Sequence, residues 1–585
     1  MLTRWRMHGD DDAQRTTARH LAAELGVSPL VALLLVRRGL SDAELGHAFL
    51  EPKLTDLHDP ALLPGVETAA ARLNRAVVDR QPIVIYGDYD VDGITASAIL
   101  WHVLTAAGAN VTTYVPHRID EGYGLNTEAI AQLCANGGGE KPLIVSVDCG
   151  ITAAEPAAVA KDAGVDLIIT DHHEFDEHDL PEAYVLVHPR LGERPYPFAA
   201  LCGAGVAFKL AWQFAKVHCG SDRLPAEFRD LLLNLLSLAA LGTVADVVPL
   251  IGENRVITRF GLGQIKRTPF AGLNALIDHV RLRDEKIDAF HVGFVIGPRL
   301  NACGRMGHAG DAVHLLTAVD EAEAVELAAA VSKINDHRKS TERAIFKQAR
   351  QQVLDRGYDS PDCRAIILAD PDWHPGVLGI VASRLVDEFA RPAVLLNVGN
   401  GEARGSARSV PGVSIHDALL HCSQHLTSFG GHAMAAGLRL AANGVDAFRD
   451  ALVDYVNQRL SEDELTGLIE IDAVCDMDEL SLQLFEQIMT LAPFGKANPS
   501  PILCVRDVRL AQPAQRIGAS GGHLRLLFGR SQQRMVQAVG FRMGHLADDL
   551  PAGSRLDVVF APSISTYLGY PRMDLHVKDL RKVEQ

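Results

Sequence analysis

The sequence predicts an α/β protein: a parallel-sheet domain joined by a long helix to a second α/β domain, followed by a small C-terminal β-barrel. Three observations carry this. Short apolar runs alternate with helix-like segments early in the chain, which is the pattern of a parallel sheet with helices on both faces. A charged stretch with helical spacing, 321–357, separates that region from a second alternation beginning at "CRAIILAD" (363–370). Beyond about residue 465 the runs are short and punctuated by Gly, Pro and Ser, as in a closed barrel.

In chain order, residues 1–65 read as a polar helical segment ending in "HDPALLPG". The first α/β domain is expected over 66–320. It opens with the apolar run "PIVIYG" (82–87) and the helical "ITASAILWHVLTAAG" (94–108). The runs "NVTTYVP", "PLIVSVD", "VDLIITD" and "AYVLVHP" supply further strands, and 202–320 is mainly helical. A connecting helix is expected over 321–360 and the second α/β domain over 361–460, with "PAVLLNVG" as another strand. The barrel occupies 465–585, with "PILCVRDVRL", "HLRLLFGR", "RMVQAVGF", "RLDVVFAP" and "RMDLHVKDL" as its strands.

Composition narrows the function classes. A chain of 585 residues with 48% hydrophobic content is too long for one core and too apolar for disorder. Nine cysteines, odd in number and never spaced CxxC, indicate reduced thiols in the cytoplasm rather than disulfides or a zinc ribbon. The start "MLTRWRMHGDDDAQ" shows no apolar secretory segment. The longest apolar run, 231–245, is short for a membrane span, lies between Asp230 and Asp246, and reads as a buried helix. The net charge of −17 taken alone argues against a nucleic-acid partner. Its distribution does not: residues 501–585 hold 12 Lys/Arg against 7 Asp/Glu, and 331–350 hold six against two.

The stretch "YGDYDVDG" (86–93) places Asp88, Asp90 and Asp92 on alternate positions after a strand and before a helix. Ligand sites of parallel sheets lie at such carboxyl ends. "LIVSV" ends likewise in Asp148, "LIIT" in Asp171, His172 and His173, and "LGTVAD" closes on Asp246. Crowded carboxylates repel one another unless cations sit among them. Carboxylates with a little imidazole suit Mn²⁺ or Mg²⁺ better than zinc. Two such ions about 3.5–4 Å apart form the usual clamp for phosphodiester hydrolysis, with Asp148 placed to bridge them. An EF-hand register is excluded, because its twelfth position is Ile99 rather than Glu. Asp171 by itself reads as a helix N-cap.

Further motifs suit phosphate. "GPRLNACGRMG" sets Arg299, Asn301 and Arg305 among glycines, and "GEARGSARSVPG" carries Arg404, Ser406, Arg408 and Ser409. Arginine grips phosphate oxygens as a fork, and glycine lets backbone approach them. "WHPGVLGIVASR" puts His374 and a glycine turn ahead of a helix N-terminus, and "FGGHAMAAG" adds His432. Together they read as a second lobe closing on a phosphorylated strand.

The motifs "GDYDVDG", "SVDCGI", "DHH", "GTVADVVPL", "GPRLNACGRMG", "WHPGVLGIVASR", "GSARS" and "FGGH" stand in the order of the DHH phosphoesterase superfamily, and the set resembles its RecJ family from about residue 65 to 440. The resemblance implies a single-strand-specific 5′→3′ DNA exonuclease with two manganese or magnesium ions, releasing mononucleotides in DNA repair and recombination. It implies Asp90, Asp92, Asp148, His172 and Asp246 as ligands. Asp88 either joins them or supports them from behind, and His173 meets the scissile phosphate or holds the site together. The second lobe would be the DHHA1 domain, with Ser406 and Arg408 on the 5′ phosphate, joined by Arg118 and by Arg299 or Arg305. The barrel would be an oligonucleotide-binding (OB) fold with Phe528, Phe541, Tyr567 and Tyr570 as candidates for base stacking, though packing in the barrel core competes for each. A single-stranded-DNA-binding protein and a RecQ-type helicase are the partners implied for a monomer. A phosphodiesterase for small nucleotides and an inactive nucleic-acid scaffold are the competing readings; barrel and length oppose the first, the intact acid and histidine set the second.

Overall fold

The computed structural model describes residues 3–9, 12–118, 121–122, 124–135, 140–529, 535–565 and 569–583. Two compact units emerge. One comprises Asp59–Asp246 and Phe260–Gly467; the other comprises Thr3–His58, Val247–Arg259 and Leu468–Gln585.

The first unit begins with a five-stranded parallel sheet ordered Val111–Tyr114, Ile83–Gly87, Leu143–Val147, Leu167–Thr170, Val185–Val187. The two strands at its centre of chemistry, Ile83–Gly87 and Leu143–Val147, are buried at every position, because helices cover both faces. The chain starts on Ile83–Gly87, steps to one side, then crosses to Leu143–Val147 on the other. These two neighbours therefore flank the point where the strand order reverses, and the crevice there opens at their carboxyl ends. Helices Val91–Ala106, Gly203–Cys219 and Ala226–Ala245 pack on one another. Ala226–Ala245 is long and apolar enough to cross a membrane, but most of it is buried inside this unit, as its run of Leu and Ala between charged ends suggests.

Helix Glu321–Asp355 runs on from this region into a second, mixed sheet. The order there is Ser428–His432, Ala435–Ala441, Glu402–Arg408, Ala393–Gly399, Ile366–Asp370, with only the last pair parallel. Alternation sets its two faces. Ile367, Val394 and Leu396 join one core, while Ile366, Leu368 and Leu395 join another with Leu378, Val381 and Leu385 of helix Leu378–Phe389. Ile345, Ala349 and Val353 of the long helix enter that second core.

In the other unit, Leu503–Arg509, Arg555–Ser565, Arg572–Lys582, Val536–Gly540 and His523–Phe528 pair in that order. A bridge between Leu510 and Phe528, with Ala511 N–H donating to Leu527 O at 2.9 Å, returns the last strand to the first and closes the ring. Two departures from the sequence reading appear. The N-terminal segment is not purely helical: Arg4–Met7 is a strand parallel to Leu468–Ile471, and Leu21, Val31, Leu34, Leu35 and Phe49 share one core with barrel residues Phe485, Phe528 and Phe560. Residues 247–259, expected inside the first α/β domain, also belong to this unit. The buried Arg255 explains it: its guanidinium donates to Phe49 O, Leu491 O, Thr490 O and Ala492 O at 2.7–3.2 Å. A buried charge left without those acceptors would be costly.

Candidate active site

Each acidic side chain at the crevice is positioned by a backbone device. Asp90 caps helix Val91–Ala106, its Oδ1 accepting from Asp92 N–H (2.9 Å) and Gly93 N–H (3.2 Å). Asp92 accepts from Gly203 N–H (2.6 Å) and Ala204 N–H (2.8 Å), at the positive end of helix Gly203–Cys219. Asp148 follows its strand with φ 62°, a left-handed conformation that L-residues rarely adopt and that turns its carboxylate back into the crevice. A Cβ at Gly203 would stand 2.5 Å from that carboxylate, so only glycine fits. Asp246 caps the end of helix Ala226–Ala245.

These groups converge. His172 Nε2 lies 3.1 Å from Asp148 Oδ1 and 3.7 Å from both Asp92 Oδ2 and Asp246 Oδ2. Asp88, Asp90 and Asp148 offer oxygens within 4.8 Å of one another; so do Asp148, His172 and His173, and Asp92, His172 and Asp246, with imidazole nitrogens included. Burial first, and then Asp90, raises the Asp88 carboxyl well above the usual range; burial followed by Asp92, Asp90, Asp88 and Asp246 does the same to Asp148. Asp90 is raised by burial and Asp92. Burial holds His172 below the ordinary histidine value. Asp88 Oδ1, Asp148 Oδ1 and His172 Nε2 are buried with no hydrogen bond. Such atoms normally find a partner, and hard divalent cations supply one for a carboxylate and imidazole set. The residues present therefore fit a pair of Mn²⁺ or Mg²⁺ ions.

Asp171 corrects the sequence reading, for it caps no helix. Its carboxylate accepts from Ile151 N–H (2.9 Å), His172 N–H (2.7 Å) and His173 N–H (3.2 Å), and meets His173 Nδ1 at 2.7 Å. Burial would raise it, but the His173 contact wins and holds it at about 2. Burial would likewise lower His173; Asp171 instead raises it to about 9. The two form a partly buried ion pair, with Asp171 inside and His173 at the edge, that fixes the "DHH" corner. His188 Nε2 meets His173 O (2.9 Å) and Arg190 donates to His172 O (2.8 Å) from behind. Sequence reading passed over both, although "VLVHPR" is one more strand-end motif of the same sheet.

The second lobe brings Arg408 to Arg118 and Arg305 of the first α/β domain, and the three form a cationic cluster. The Arg118 guanidinium lies over the Tyr89 ring at 4.8 Å. Burial, then Arg118, Arg338 and Arg408, pushes Arg305 down to about 10; burial and then Arg118 lower Arg408. Among the described residues none of Arg118, Arg305 and Arg408 has a carboxylate partner. Arg408 donates to Ser406 Oγ at 2.8 Å, and Arg305 to Gly376 O at 3.2 Å. Four sequence candidates are engaged with backbone: Asn301 accepts from Val91 N–H (3.1 Å), His374 Nδ1 from Gly376 N–H (3.1 Å), Arg299 donates to Val295 O (2.7 Å), and Ser409 donates to Val413 O (2.6 Å). His432 lines a cavity of about 590 Å³ with Asp171, His173, Glu174, Gly150 and Ile151. On the barrel Phe528 is buried in the core, whereas Phe541 and Tyr570 are exposed; Tyr567 lies outside the described residues.

A doubly wound sheet with clustered carboxylates at its switch point, facing a second arginine-bearing lobe, defines a DHH-type phosphoesterase. Comparison with known proteins agrees. The DHH family N-terminal domain matches residues 82–243, the DHHA1 domain 363–458 and the RecJ OB domain 471–579. The single-stranded-DNA-specific exonuclease RecJ of Bacillus subtilis is 39% identical over 578 residues, 98% of this chain and 70% of that protein. RecJ of Escherichia coli is 33% identical, covering 88% and 86%. The crystal structure of RecJ from Thermus thermophilus in complex with Mn²⁺ superposes with TM-score 0.82 at 31% identity, over all of this chain and 80% of that one; the Mg²⁺ complex gives 0.76. This chain belongs to the RecJ family.

Proposed function

We propose that this chain is a metal-dependent exonuclease that degrades single-stranded DNA from its 5′ end and releases mononucleotides. One observation supports the reading: Arg118, Arg305 and Arg408 gather beside the buried carboxylates Asp88 and Asp90, with no carboxylate partner among the described residues. Asp90, Asp92, Asp148, His172 and Asp246 would hold the ions, with Asp88 beside them as a further ligand or a support. When bound, the ions acidify a water and offset charge growing on the phosphate oxygens. His173, held in place by Asp171, would stand beside the scissile phosphate. Arg118, Arg305 and Arg408 with Ser406 receive the 5′ phosphate, while Asn301, His374, His432 and Arg299 line the path of the strand. A pocket for the terminal phosphate at a fixed distance from the ions gives both polarity and single-nucleotide steps. The barrel contributes a basic surface that gathers the strand. The reading extends to a cytoplasmic monomer in repair and recombination, with a single-stranded-DNA-binding protein and a RecQ-type helicase as partners.

Digestion of 5′-labelled single-stranded and duplex DNA with Mn²⁺, Mg²⁺ or chelator tests it. Labelled mononucleotide should appear first, from the single strand and only with metal. Cleavage in chelator, release from the 3′ end, or preference for dinucleotides over long strands would overturn the reading.

A further inference from the structure

Phe290 and Phe294 stand out on the surface of the first unit. They are 61% and 69% exposed, and their rings stack with centroids 4.9 Å apart. Single exposed apolar residues are ordinary; a stacked pair that spans the short helix Ala289–His291 and the π-turn Val292–Ile296 is not. The π-turn runs directly into helix Gly297–Met306, and three places along this stretch lie beside groups of the site. At its C-terminal end Arg305 belongs to the arginine cluster. One turn earlier Asn301 accepts from Val91 N–H, between Asp90 and Asp92. Just before its N-terminal end the π-turn packs on helix Ala226–Ala245, which Asp246 caps. The next step along the same line is the phenylalanine pair, about 16 Å (Phe294) to 22 Å (Phe290) from Arg305 at the rise of a helix.

Building on the exonuclease reading, we propose that Phe290 and Phe294 form a stacking platform for bases on the 3′ side of the cut, so that helix Gly297–Met306 lies along the strand from its 5′ phosphate to its trailing bases. Every base presents a π-face, so such a platform is indifferent to sequence, as a processive nuclease requires. The surrounding charge suits a phosphate backbone. Arg299, bound through one nitrogen to Val295 O beside Phe294, keeps its Nε buried and unpartnered. Lys339 and the exposed Arg343 of helix Glu321–Asp355 extend the positive strip, since burial and then Arg299 hold the Lys339 ammonium below its usual value. Asp336 is the acidic group among them, and Asp288 is taken up by His291.

The test uses the full chain in chelator, so that nothing is cut. Binding of a long 5′-phosphorylated oligonucleotide and of a 5′-phosphorylated dinucleotide is compared by fluorescence anisotropy. Phe290→Ala with Phe294→Ala should weaken the long strand about ten-fold or more and leave the dinucleotide unchanged. The paired Trp substitutions should restore long-strand binding, and 2-aminopurine placed a few nucleotides from the 5′ end should lose its quenching only in the alanine variant. Unchanged affinity and quenching in that variant, with normal wild-type binding, overturn the platform alone, and would leave an apolar side chain of a partner protein as the pair's occupant. A wild-type chain that ignores the long strand overturns the exonuclease reading and the platform with it.

Discussion

His172 Nε2 stands 3.1 Å from Asp148 Oδ1, yet neither atom forms a hydrogen bond. The separation is right and the angle is wrong, and Asp92 and Asp246 approach the same nitrogen at 3.7 Å. A buried imidazole nitrogen ringed by three carboxylates that it does not bond is arranged for a cation, not for its neighbours.

The metal-free protein should lose stability as pH rises from 7 to 8.5. Asp88, Asp90 and Asp148 have folded values raised by burial and by neighbouring carboxylates, so they contribute in this direction wherever the folded state keeps a proton that the unfolded one has lost. His173, raised to about 9, acts in the same direction over that window. The lowered histidines, His102 and His188 at about 4, oppose it only below about pH 6.5. Mn²⁺ binds deprotonated ligands and should reverse the trend. Melting curves with chelator and with Mn²⁺ should diverge as pH increases; parallel curves would argue against a carboxylate metal site.

Asp171→Asn should cost about 10–100-fold in Mn²⁺ affinity, as loss of a partner behind the ligands commonly does. The asparagine keeps the shape but loses the ion pair with His173. The apparent pKa of His173, read by NMR, should fall toward the ordinary histidine value. An unmoved His173 together with wild-type metal affinity would show that Asp171 is only a turn residue.

Arg408→Ala should weaken binding of 5′-phosphorylated strands by more than about ten-fold and of 5′-hydroxyl strands much less. Charge-assisted hydrogen bonds of this kind contribute about 1.5–3 kcal/mol. Equal losses on both ends would remove the terminal-phosphate pocket from the account.

Deleting the barrel is a poor test of DNA binding, because Leu34, Leu35 and Phe49 of the N-terminal segment share its core. Surface substitution is cleaner. Phe541 is exposed with His523 and His576 at its edges, and Arg542 follows it. Phe541→Ala should weaken long strands, and Arg542→Ala should reduce the slope of log affinity against log salt by about one. An unchanged slope would place the strand elsewhere on the barrel.

The acidic cluster was legible in the sequence because each candidate ligand follows an apolar run, and strand ends of a parallel sheet gather at one edge. Asp88, Asp90, Asp92, Asp148, His172 and His173 all obey that rule. Asp246, at the end of a buried helix, was legible for a related reason. The role of Asp171 was not, since a strand-end aspartate looks the same whether it caps a helix or anchors a corner. His188 and Arg190 obey the strand-end rule but carry a supporting task that residue type does not announce. The assignment of 247–259 to the barrel unit was illegible, because it depends on Arg255 meeting carbonyls more than two hundred residues away. Phe290 and Phe294 read as ordinary helix residues until the π-turn and their exposure are seen.

The most direct measurement is anomalous diffraction from crystals of this protein soaked in Mn²⁺. Two peaks about 3.5–4 Å apart are expected, with Asp148 between them and His172 on one. A crevice with no peak, or a single ion held away from Asp148, would contradict the account.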